Sequence, residues 1–423
     1  MLRFAPSPTG DMHIGDLRVA LLNYIVSKQR NEDLIVRIED IDKKKNIEGK
    51  DDEIIGLLPL FGIEYTQVIY QSENIRYHSA MALQLVHDKK AFSCFCSDEW
   101  IQKKREEAKE NGKEYSYDDA CKNLPHELVI DNMNPFTIRL SRPNKAVVIN
   151  DLIKGEMSFE PDSVDSFTIM NQDKTPTNNF ASAIDDMLSD ISIVIRSEDH
   201  MGNTPKQDHI RSSLGYEKQV EYAHLPTILD DGASSVKYLL EEGFLPEAIS
   251  NYLISTVIKA PKEIFTMKEA IEWFDLSKIS NGPTRFSVEM LRDINHKHLL
   301  NLDAKELSRY VGFADEEIGE LARVYLEEVS TTKELKTKIA PIFAQKDIPN
   351  ELKEQAKKII KIIKNAPFFE LYDDFEDYIM KESGLKDEGL SKPLRYILTG
   401  SENGPDMAQI YKYLKNYIAE IVR

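Results

Sequence analysis

The chain has 423 residues and a formal net charge of −18, and its length predicts roughly two to four domains. It contains no run of about 18 apolar residues that would predict a membrane-spanning helix. Residues 1–9 lack the apolar stretch of a secretory signal, so we expect a cytoplasmic protein without a membrane partner. The negative charge excludes a uniformly basic surface for nucleic acid but leaves room for a local basic patch.

The first 45 residues predict a strand, a turn, a helix and a second strand. Residues 3–5 form the first strand candidate, and the prolines and glycines of 6–15 exclude regular structure there. A helical apolar pattern begins at Asp16, which we expect to cap that helix. Residues 34–38 form the second strand. In open α/β sheets, ligands bind at the loop that follows such a first strand.

The composition and the predicted elements of the sequence change at about residue 76. Residues 76–182 contain all three cysteines, a charged helical stretch at 99–110 and short strand-like pieces at 136–140 and 146–149. This composition predicts an inserted domain. From residue 183 an apolar pattern resumes and ends at Arg196, which predicts a return to the parallel sheet.

Beyond about residue 305 the pattern is almost wholly helical. Residues 352–363 place their leucine, alanine and isoleucine side chains on one helical face. The last third of the chain is therefore predicted to be an all-helical region.

The string PSPTGDMHIG at 6–15 carries the first chemical signal. Gly10 and Gly15 would let a ligand approach the backbone, while His13 and the free amides of the following helix would face a polyanion. A turn without a ligand explains the glycines equally well. The string resembles the first signature of class I aminoacyl-tRNA synthetases, in the form typical of their glutamyl branch.

The string RIEDID at 37–42 follows the second strand. Its carboxylates could bind a metal, cap a helix or hold an ammonium group. The string resembles the RIEDTD element of glutamyl-tRNA synthetases. The resemblance implies that Glu39 holds the substrate α-amino group and that Arg3 reaches a substrate carboxylate.

The string IRSEDHMGNTPKQ at 195–207 resembles the third element of the same family. By this resemblance Arg196 binds a glutamate carboxylate, and Asp199 and His200 lie on the ATP side. The strings at 222–226 and 243–248 follow in the family's order, as do residues 393–400 near the end of the chain. The resemblance therefore covers nearly the whole sequence.

The resemblance implies an α/β fold, in which a Rossmann-type parallel-sheet catalytic domain contains an inserted α+β acceptor-binding domain. All-helical stem-contact and anticodon-binding domains follow. We place the catalytic domain at 1–75 and 183–230, and the insert at 76–182. The stem-contact domain is expected at 231–305 and the anticodon-binding domain at 306–423.

The resemblance also implies two sets of site residues. The expected glutamate contacts are Arg3, Ala5, Ser7, Glu39, Asn178, Ser182 and Arg196. The expected ATP contacts are Pro8, Thr9, Gly10, His13, Gly15, Asp199, His200 and Leu225, among which Thr9, His13 and Gly15 are assigned the catalytic role.

The sequence departs from the family pattern at two places. The KMSKS-type loop is expected after Leu229, but roughly six or seven residues with two lysines are missing on either side of Gly232. There are two explanations: a mobile loop is left out of the printed sequence, or the loop is deleted. We expect the first. The second departure is Asn178, where the family usually has tyrosine, so its contact with substrate is in doubt.

The cysteines offer a candidate metal site. Cys94, Cys96 and Cys121 supply three thiolates, whereas tetrahedral zinc needs four ligands. Tyr117 is the candidate for the fourth ligand, as in some zinc-bearing relatives, and His126 is its rival. Three reduced thiols without a metal are the alternative interpretation.

The predicted reaction is the ATP-dependent ligation of L-glutamate to tRNA through glutamyl-adenylate, with Mg²⁺ as the counter-ion of ATP and one structural Zn²⁺ as an optional cofactor. The partner is the glutamate tRNA, and charging of the glutamine tRNA is left open. We expect a monomer. The competing interpretations are a non-catalytic tRNA-binding paralogue, favoured by the missing loop and Asn178, and an ATP-dependent ligase for a small molecule.

Overall fold

A computed structural model of the protein describes residues 1–112, 115–229 and 235–422. The strands of these residues are β1 Leu2–Phe4, β2 Leu34–Ile38, β3 Gln67–Tyr70, β4 Ala91–Cys94, β5 Thr137–Leu140, β6 Val147–Asp151, β7 Gly155–Phe159, β8 Phe167–Met170, β9 Ile193–Ser197, β10 Glu221–Leu225, β11 Ile228–Leu229 and β12 Thr284–Arg285. The helices up to residue 301 are α1 Ile14–Arg30, α2 Lys50–Leu57, α3 Ile75–His87, α4 Asp98–Glu110, α5 His126–Ile130, α6 Pro161–Val164, α7 Asn178–Leu188, α8 Thr204–Ser213, α9 Val236–Glu241, α10 Pro246–Ser255, α11 Met267–Trp273 and α12 Val288–Asn301. The remaining helices are α13 Ala304–Tyr310, α14 Glu316–Val324, α15 Thr332–Phe343, α16 Lys353–Ile363, α17 Tyr372–Ser383, α18 Glu388–Thr399, α19 Met407–Leu414 and α20 Ile418–Ile421.

The chain divides into two compact units, residues 1–236 with 253–286 and residues 237–252 with 287–423. The first unit is built on parallel strands. β1, β2 and β3 form one parallel sheet, and β6, β10 and β9 run parallel in a second sheet. The Ser192 amide donates to the Met1 carbonyl at 2.9 Å, which brings the start of β9 beside the start of β1.

The central strands are apolar because they are covered on both faces. All five residues of β2 are buried, and the first four of β9 are buried as well. Continuous burial of this kind is typical of parallel sheets with helices on both sides. The predicted Rossmann-type α/β fold is thus confirmed.

The segment predicted as an insert contributes to two sheets. β4, β5 and β8 form an antiparallel sheet of their own. β6 pairs antiparallel with β7 on one side and parallel with β10 on the other, where Asp151 lies opposite Tyr222. Two strands from residues 76–182, β6 and β7, therefore belong to the sheet that carries Arg196. The four-domain division drawn from the sequence stays a prediction.

Two local expectations were wrong. His13, with extended backbone angles, is the N-cap of α1, and Asp16 is the third helical residue of a capping box rather than the cap. The apolar pattern after residue 183 belongs first to the end of helix α7 and only from Ile193 to strand β9. The buried side chains of Phe180, Ala183 and Ile184 recur at helical spacing, which a short apolar run does not distinguish from a strand.

The described residues of the second unit fold as helices joined by short turns. The apolar face predicted at 352–363 is realised in α16, which buries Ala356, Ile359 and Ile363. α13 and α14 pack so closely that a Cβ on Gly319 would lie 1.7 Å from the carbonyl oxygen of Ala304. Within the described part of the chain, no helix is long and apolar enough to cross a membrane.

Candidate active site

A cleft of about 310 Å³ opens where β1, β2 and β9 end and α1 begins. All seven expected glutamate contacts line this cleft, together with three of the expected ATP contacts, Thr9, Gly10 and His200. Pro8, His13, Gly15, Asp199 and Leu225 are not among its lining residues. The structure therefore brings residues of all three sequence elements to one opening.

The loop of residues 6–15 is fixed to its surroundings by main-chain hydrogen bonds. The Glu39 amide donates to the Pro6 carbonyl at 2.9 Å, so the loop is joined to the end of β2. At the helix start, the Gly15 amide donates to Nδ1 of His13 at 3.1 Å. A Cβ placed on Gly10 would meet no protein atom within 4 Å. The backbone at Gly10 thus faces open space inside the cleft.

A buried carboxylate holds two arginines beneath the cleft. Oδ1 of Asp186 lies 3.3 Å from Nε of Arg3 and 2.6 Å from Nη1 of Arg37. Burial alone would raise the pKa of Asp186, but the charges of Arg37 and Arg3 lower it to about 2. Asp186 is therefore ionised and fixes the guanidinium of Arg3 at the cleft wall.

Glu39 is held by three donors. Nδ2 of Asn178 lies 3.0 Å from its Oε2, and Oγ of Ser182 lies 2.8 Å from its Oε1. Nη2 of Arg37 lies 3.3 Å from the same Oε1. The side chain of Glu39 remains 13% exposed, so an oriented carboxylate is presented to the cleft.

Arg196 is buried, yet it contacts only neutral groups. Its Nη1 donates to Oε1 of Gln207 at 2.9 Å, its Nη2 to Oγ1 of Thr204 at 2.6 Å, and its Nε to Nε2 of His224 at 3.2 Å. Burial and the charge of Arg3 lower the pKa of Arg196 to about 10, so the group is still cationic at neutral pH. Among the described residues, no carboxylate forms an ion pair with it. A buried cation of this kind is suited to an anionic ligand.

The residues expected on the ATP side are more exposed. Nε2 of His200 lies 3.7 Å from Oδ2 of Asp199 in the short 3-10 turn at Glu198–Asn203, and both side chains are more than half exposed. Glu198, which precedes them, accepts from the Thr227 amide at 2.8 Å and from Nζ of Lys154 at 2.5 Å. The turn is thereby fixed to the segment after β10.

The comparisons with known proteins show the family of the chain. The family profile described as class I tRNA synthetases (E and Q), catalytic domain, matches residues 1–293. The chain is 65% identical to glutamate–tRNA ligase 2 of Sulfurimonas denitrificans over all of both chains. The chain belongs to the class I glutamyl-tRNA synthetases. Glutamate–tRNA ligase 1 of a Nitratiruptor species is 49% identical, again over both full lengths.

A solved structure supports the synthetase fold independently. The chain resembles a glutamate tRNA ligase from Elizabethkingia meningosepticum, solved in complex with its amino acid, with a TM-score of 0.81. The two are 24% identical, and the likeness covers 100% of this chain and 98% of the other. At this identity, the comparison supports the fold alone.

The departure from the synthetase pattern after Leu229 falls at residues 230–234, which lie outside the described part of the chain. The residues on its far side are attached to the first signature, because Ser235 forms a bridge with His13 and the Val236 amide donates to the Met12 carbonyl at 2.9 Å. The alignments with the two relatives run over 432 positions, more than the 423 residues of this chain. The relatives thus carry positions that this synthetase lacks.

The three cysteines of the synthetase converge. The sulfur atoms of Cys94, Cys96 and Cys121 all lie within 4.8 Å of one another, and those of Cys96 and Cys121 are 3.6 Å apart. The phenol oxygen of Tyr117 lies 3.3 Å from the Cys94 sulfur and 3.4 Å from the Cys96 sulfur. Ligands 2.3 Å from a tetrahedral zinc are about 3.8 Å apart, so the three measured separations are close to those that such an ion requires. The side chain of His126 lies outside the described part of the chain.

Several residues of the site were not predicted. Asp186 and Gln207 contact the expected arginines, and Thr204 and His224 complete the surroundings of Arg196. Gln207, Thr204 and His224 stand in strings that resemble the family, but the sequence alone assigned them no role. Asp186 carried no signal, because it lies on α7, far along the chain from both arginines.

Proposed function

We propose that this synthetase joins L-glutamate to the 3′ end of tRNA in two steps, with the residues of the cleft forming the glutamate and ATP sites. The carboxylate of glutamate attacks the α-phosphate of ATP, which gives glutamyl-adenylate and pyrophosphate. The terminal adenosine of tRNA then takes the glutamyl group and AMP leaves. The observation that carries this proposal is the buried guanidinium of Arg196 at the cleft, which is surrounded by neutral acceptors.

Glutamate selection follows from the charges of the cleft. Arg196 would bind one carboxylate of the substrate, Arg3 would contribute a second positive charge, and Glu39 would accept the α-ammonium group. Glutamine has nearly the same shape but an uncharged amide in place of the side-chain carboxylate. Its binding would leave a buried cation without an anionic partner, so the site should reject glutamine strongly.

The nucleotide is placed beside the first signature. The open backbone at Gly10 and the N-terminus of α1, capped by His13, suit the phosphates of ATP. ATP is expected to arrive as its Mg²⁺ complex, in which the ion offsets phosphate charge. The chain itself contributes positioning and charge stabilisation rather than covalent chemistry. Thr9 and Gly10 at the cleft wall, with His13 and Gly15 at the helix start, are assigned to this task.

The experiment is glutamate-dependent exchange of pyrophosphate into ATP, run in the presence of the glutamate tRNA. Arg196→Ala is expected to abolish exchange, because the carboxylate of the substrate would lose its cationic partner. Among the described residues that line the cleft, Arg196 is the only buried cation without an ionic partner. Arg196→Lys keeps the charge without the planar fork and should be intermediate. Exchange by Arg196→Ala within about tenfold of the parent rate would defeat the assignment.

The cysteine cluster is the proposed site of one structural Zn²⁺, with Cys94, Cys96, Cys121 and Tyr117 as ligands. The support is the convergence of three sulfur atoms within 4.8 Å of one another, with the phenol oxygen of Tyr117 3.3 and 3.4 Å from two of them. When bound, the ion would cross-link β4 to the loop that contains Tyr117 and Cys121.

Three finer expectations complete the proposal. Charging of the glutamine tRNA is tested by aminoacylation of the two purified tRNAs side by side, and equal rates would show a non-discriminating enzyme. A monomer is checked by light scattering on the 48.5 kDa chain. A cytoplasmic location, where tRNA is charged, is checked by fractionation of the cells.

A further inference from the structure

Three neighbouring strands bring together the side chains of an aspartate, a histidine and Arg196. Asp151 is the last residue of β6, His224 lies on β10 and Arg196 on β9. In the parallel pairing of β10 with β9, His224 lies directly opposite Arg196. The side chains of Asp151 and His224 are both fully buried.

The carboxylate of Asp151 accepts four hydrogen bonds. Its Oδ1 accepts from the amides of Ile153 at 2.9 Å and Lys154 at 2.8 Å. Its Oδ2 accepts from the amide of His224 at 3.0 Å and lies 2.7 Å from Nδ1 of the same residue. Burial opposes ionisation, but the hydrogen bonds from His224, Lys154 and Ile153 hold the pKa of Asp151 below its usual value. An ionised carboxylate only accepts, so Nδ1 of His224 must carry a proton.

The far side of the ring then presents a lone pair. Burial lowers the pKa of His224, and the nearby charge of Arg196 adds to this effect, so the ring is neutral. With the proton on Nδ1, Nε2 is an acceptor. It lies 3.2 Å from Nε of Arg196, which is always a donor, and 2.9 Å from the hydroxyl of Thr204. The opposite tautomer would direct one N–H group against another at Arg196.

We propose that Asp151 is a positioning residue for glutamate recognition: by fixing the tautomer of His224, it aims the guanidinium of Arg196 into the cleft. Asp151 acts without touching Arg196, and it is supplied by a strand of the segment predicted as the insert. The inference rests on the proposed function, because it gives Arg196 the role of binding the carboxylate of glutamate. Because Asp151 acts through the neutral ring of His224, an arrangement we call the relay, the positive charge of Arg196 remains available to that anion. A carboxylate paired directly with Arg196 would cancel this charge.

The first test observes the tautomer and needs no substrate. Long-range ¹H–¹⁵N spectra of protein labelled at histidine distinguish a protonated ring nitrogen from one with a lone pair, and His224→Gln identifies the signals of His224. We expect a neutral ring protonated at Nδ1 at neutral pH. A ring protonated at Nε2, or at both nitrogens, would overturn the proposal.

The second test measures the KM for glutamate and for ATP separately in tRNA-dependent pyrophosphate exchange. In Asp151→Asn one oxygen is replaced by an NH₂ group, which must face either the amides of Ile153 and Lys154 or the side of His224. The side chain then no longer requires a proton on Nδ1 of His224, so the tautomer is no longer fixed. We expect the KM for glutamate to rise about tenfold while the KM for ATP stays within about twofold. A purely structural role would move both constants together, and an unchanged KM for glutamate in a folded variant contradicts the proposal.

Two further variants keep the test decisive if Asp151→Asn does not fold. His224→Gln can place an oxygen near the position of Nε2 and accept from Arg196, whereas His224→Leu has similar bulk and no acceptor. We expect the KM for glutamate to rise clearly less in His224→Gln than in His224→Leu, and the reverse order or equal values would contradict the relay.

The matched control is His78→Gln, which alters another buried histidine–aspartate pair, with Nε2 of His78 2.8 Å from Oδ1 of Asp185. It should leave the KM for glutamate within about twofold of the parent. If the parent protein shows no exchange with glutamate and tRNA, the proposed function fails. The spectroscopic test of the tautomer still stands in that case.

Discussion

Asn178 donates from its Nδ2 to Oε2 of Glu39 at 3.0 Å. Asn178, which departs from the family pattern, therefore forms a hydrogen bond with the carboxylate of Glu39, the group assigned to bind the ammonium group of the substrate. We expect Asn178→Ala to raise the KM for glutamate about threefold to tenfold, because one hydrogen bond to a charged group is lost while Ser182 and Arg37 still hold Glu39. Steady-state exchange at varied glutamate measures this change.

The control for Asn178 is Asn171→Ala, which removes an exposed asparagine whose Nδ2 donates to Thr175 at 3.0 Å. Its kinetic constants should equal those of the parent. If both variants leave the KM for glutamate unchanged, Asn178 has no part in orienting Glu39.

Gly10→Ala is expected to separate stability from nucleotide binding. No protein atom lies within 4 Å of the added methyl group, so the melting temperature should stay within about 2 °C of the parent. If ATP lies against this backbone, the KM for ATP should rise about tenfold or more. Gly282→Ala, where the methyl group also meets open space, should change neither quantity. A normal KM for ATP in Gly10→Ala would place the nucleotide elsewhere.

Asp186→Asn should lower the melting temperature by a margin that does not depend on pH between about pH 5 and 8. Removing the carboxylate leaves the buried Arg3 without an ion pair and Arg37 with Glu39 as its remaining partner, which costs on the order of 3 kcal/mol. The pKa of Asp186 is lowered from 3.8 to about 2 in the folded protein. Its contribution is therefore complete above the unfolded pKa and is lost only as the pH falls from about 4 toward 2.

Differential scanning calorimetry of Asp186→Asn beside its parent, at pH 5 and at pH 8, measures that margin. The control is Asp190→Asn, whose exposed carboxylate lies 2.7 Å from Nζ of Lys218 and should contribute less than about 1 kcal/mol. A margin that grows between pH 8 and pH 5 would mean that the folded pKa of Asp186 is raised rather than lowered.

The zinc proposal predicts about one equivalent of metal in protein purified without chelator. Elemental analysis of Cys121→Ser should find most of that metal lost, since three ligands remain. Tyr117→Phe should weaken retention and His126→Ala should not, if Tyr117 is the fourth ligand. Less than about a tenth of an equivalent in the parent protein would remove the proposal.

The resemblance to the family predicted the principal residues of the cleft, and the strand pattern predicted a ligand site where the first strand ends. Arg3, Glu39 and Arg196 lie on or directly after β1, β2 and β9, and all three residues line the cleft. The partner of two arginines was not predictable, because Arg37 and Asp186 are joined only in the folded chain. An ion pair between residues 149 positions apart leaves no local pattern.

The two errors in the sequence interpretation have local causes. The run after residue 183 is apolar in both its helical and its extended part, so periodicity alone did not separate α7 from β9. Asp16 was chosen as the cap because aspartate is a frequent N-cap. In the structure His13 is the N-cap, and Asp16 lies three positions after it, where its side chain accepts from the His13 amide at 3.2 Å.

The pairing of β6 with β10 has a practical consequence for hybrid enzymes. A graft that exchanged residues 76–182 between two relatives would also remove β6 and β7 from the sheet order β7-β6-β10-β9. β10 would then pair with a strand from the donor enzyme, and the residue at position 151 would be the donor's instead of Asp151. A chimera that is meant to keep its choice of amino acid therefore needs junctions that leave the hairpin of β6 and β7 with its original host.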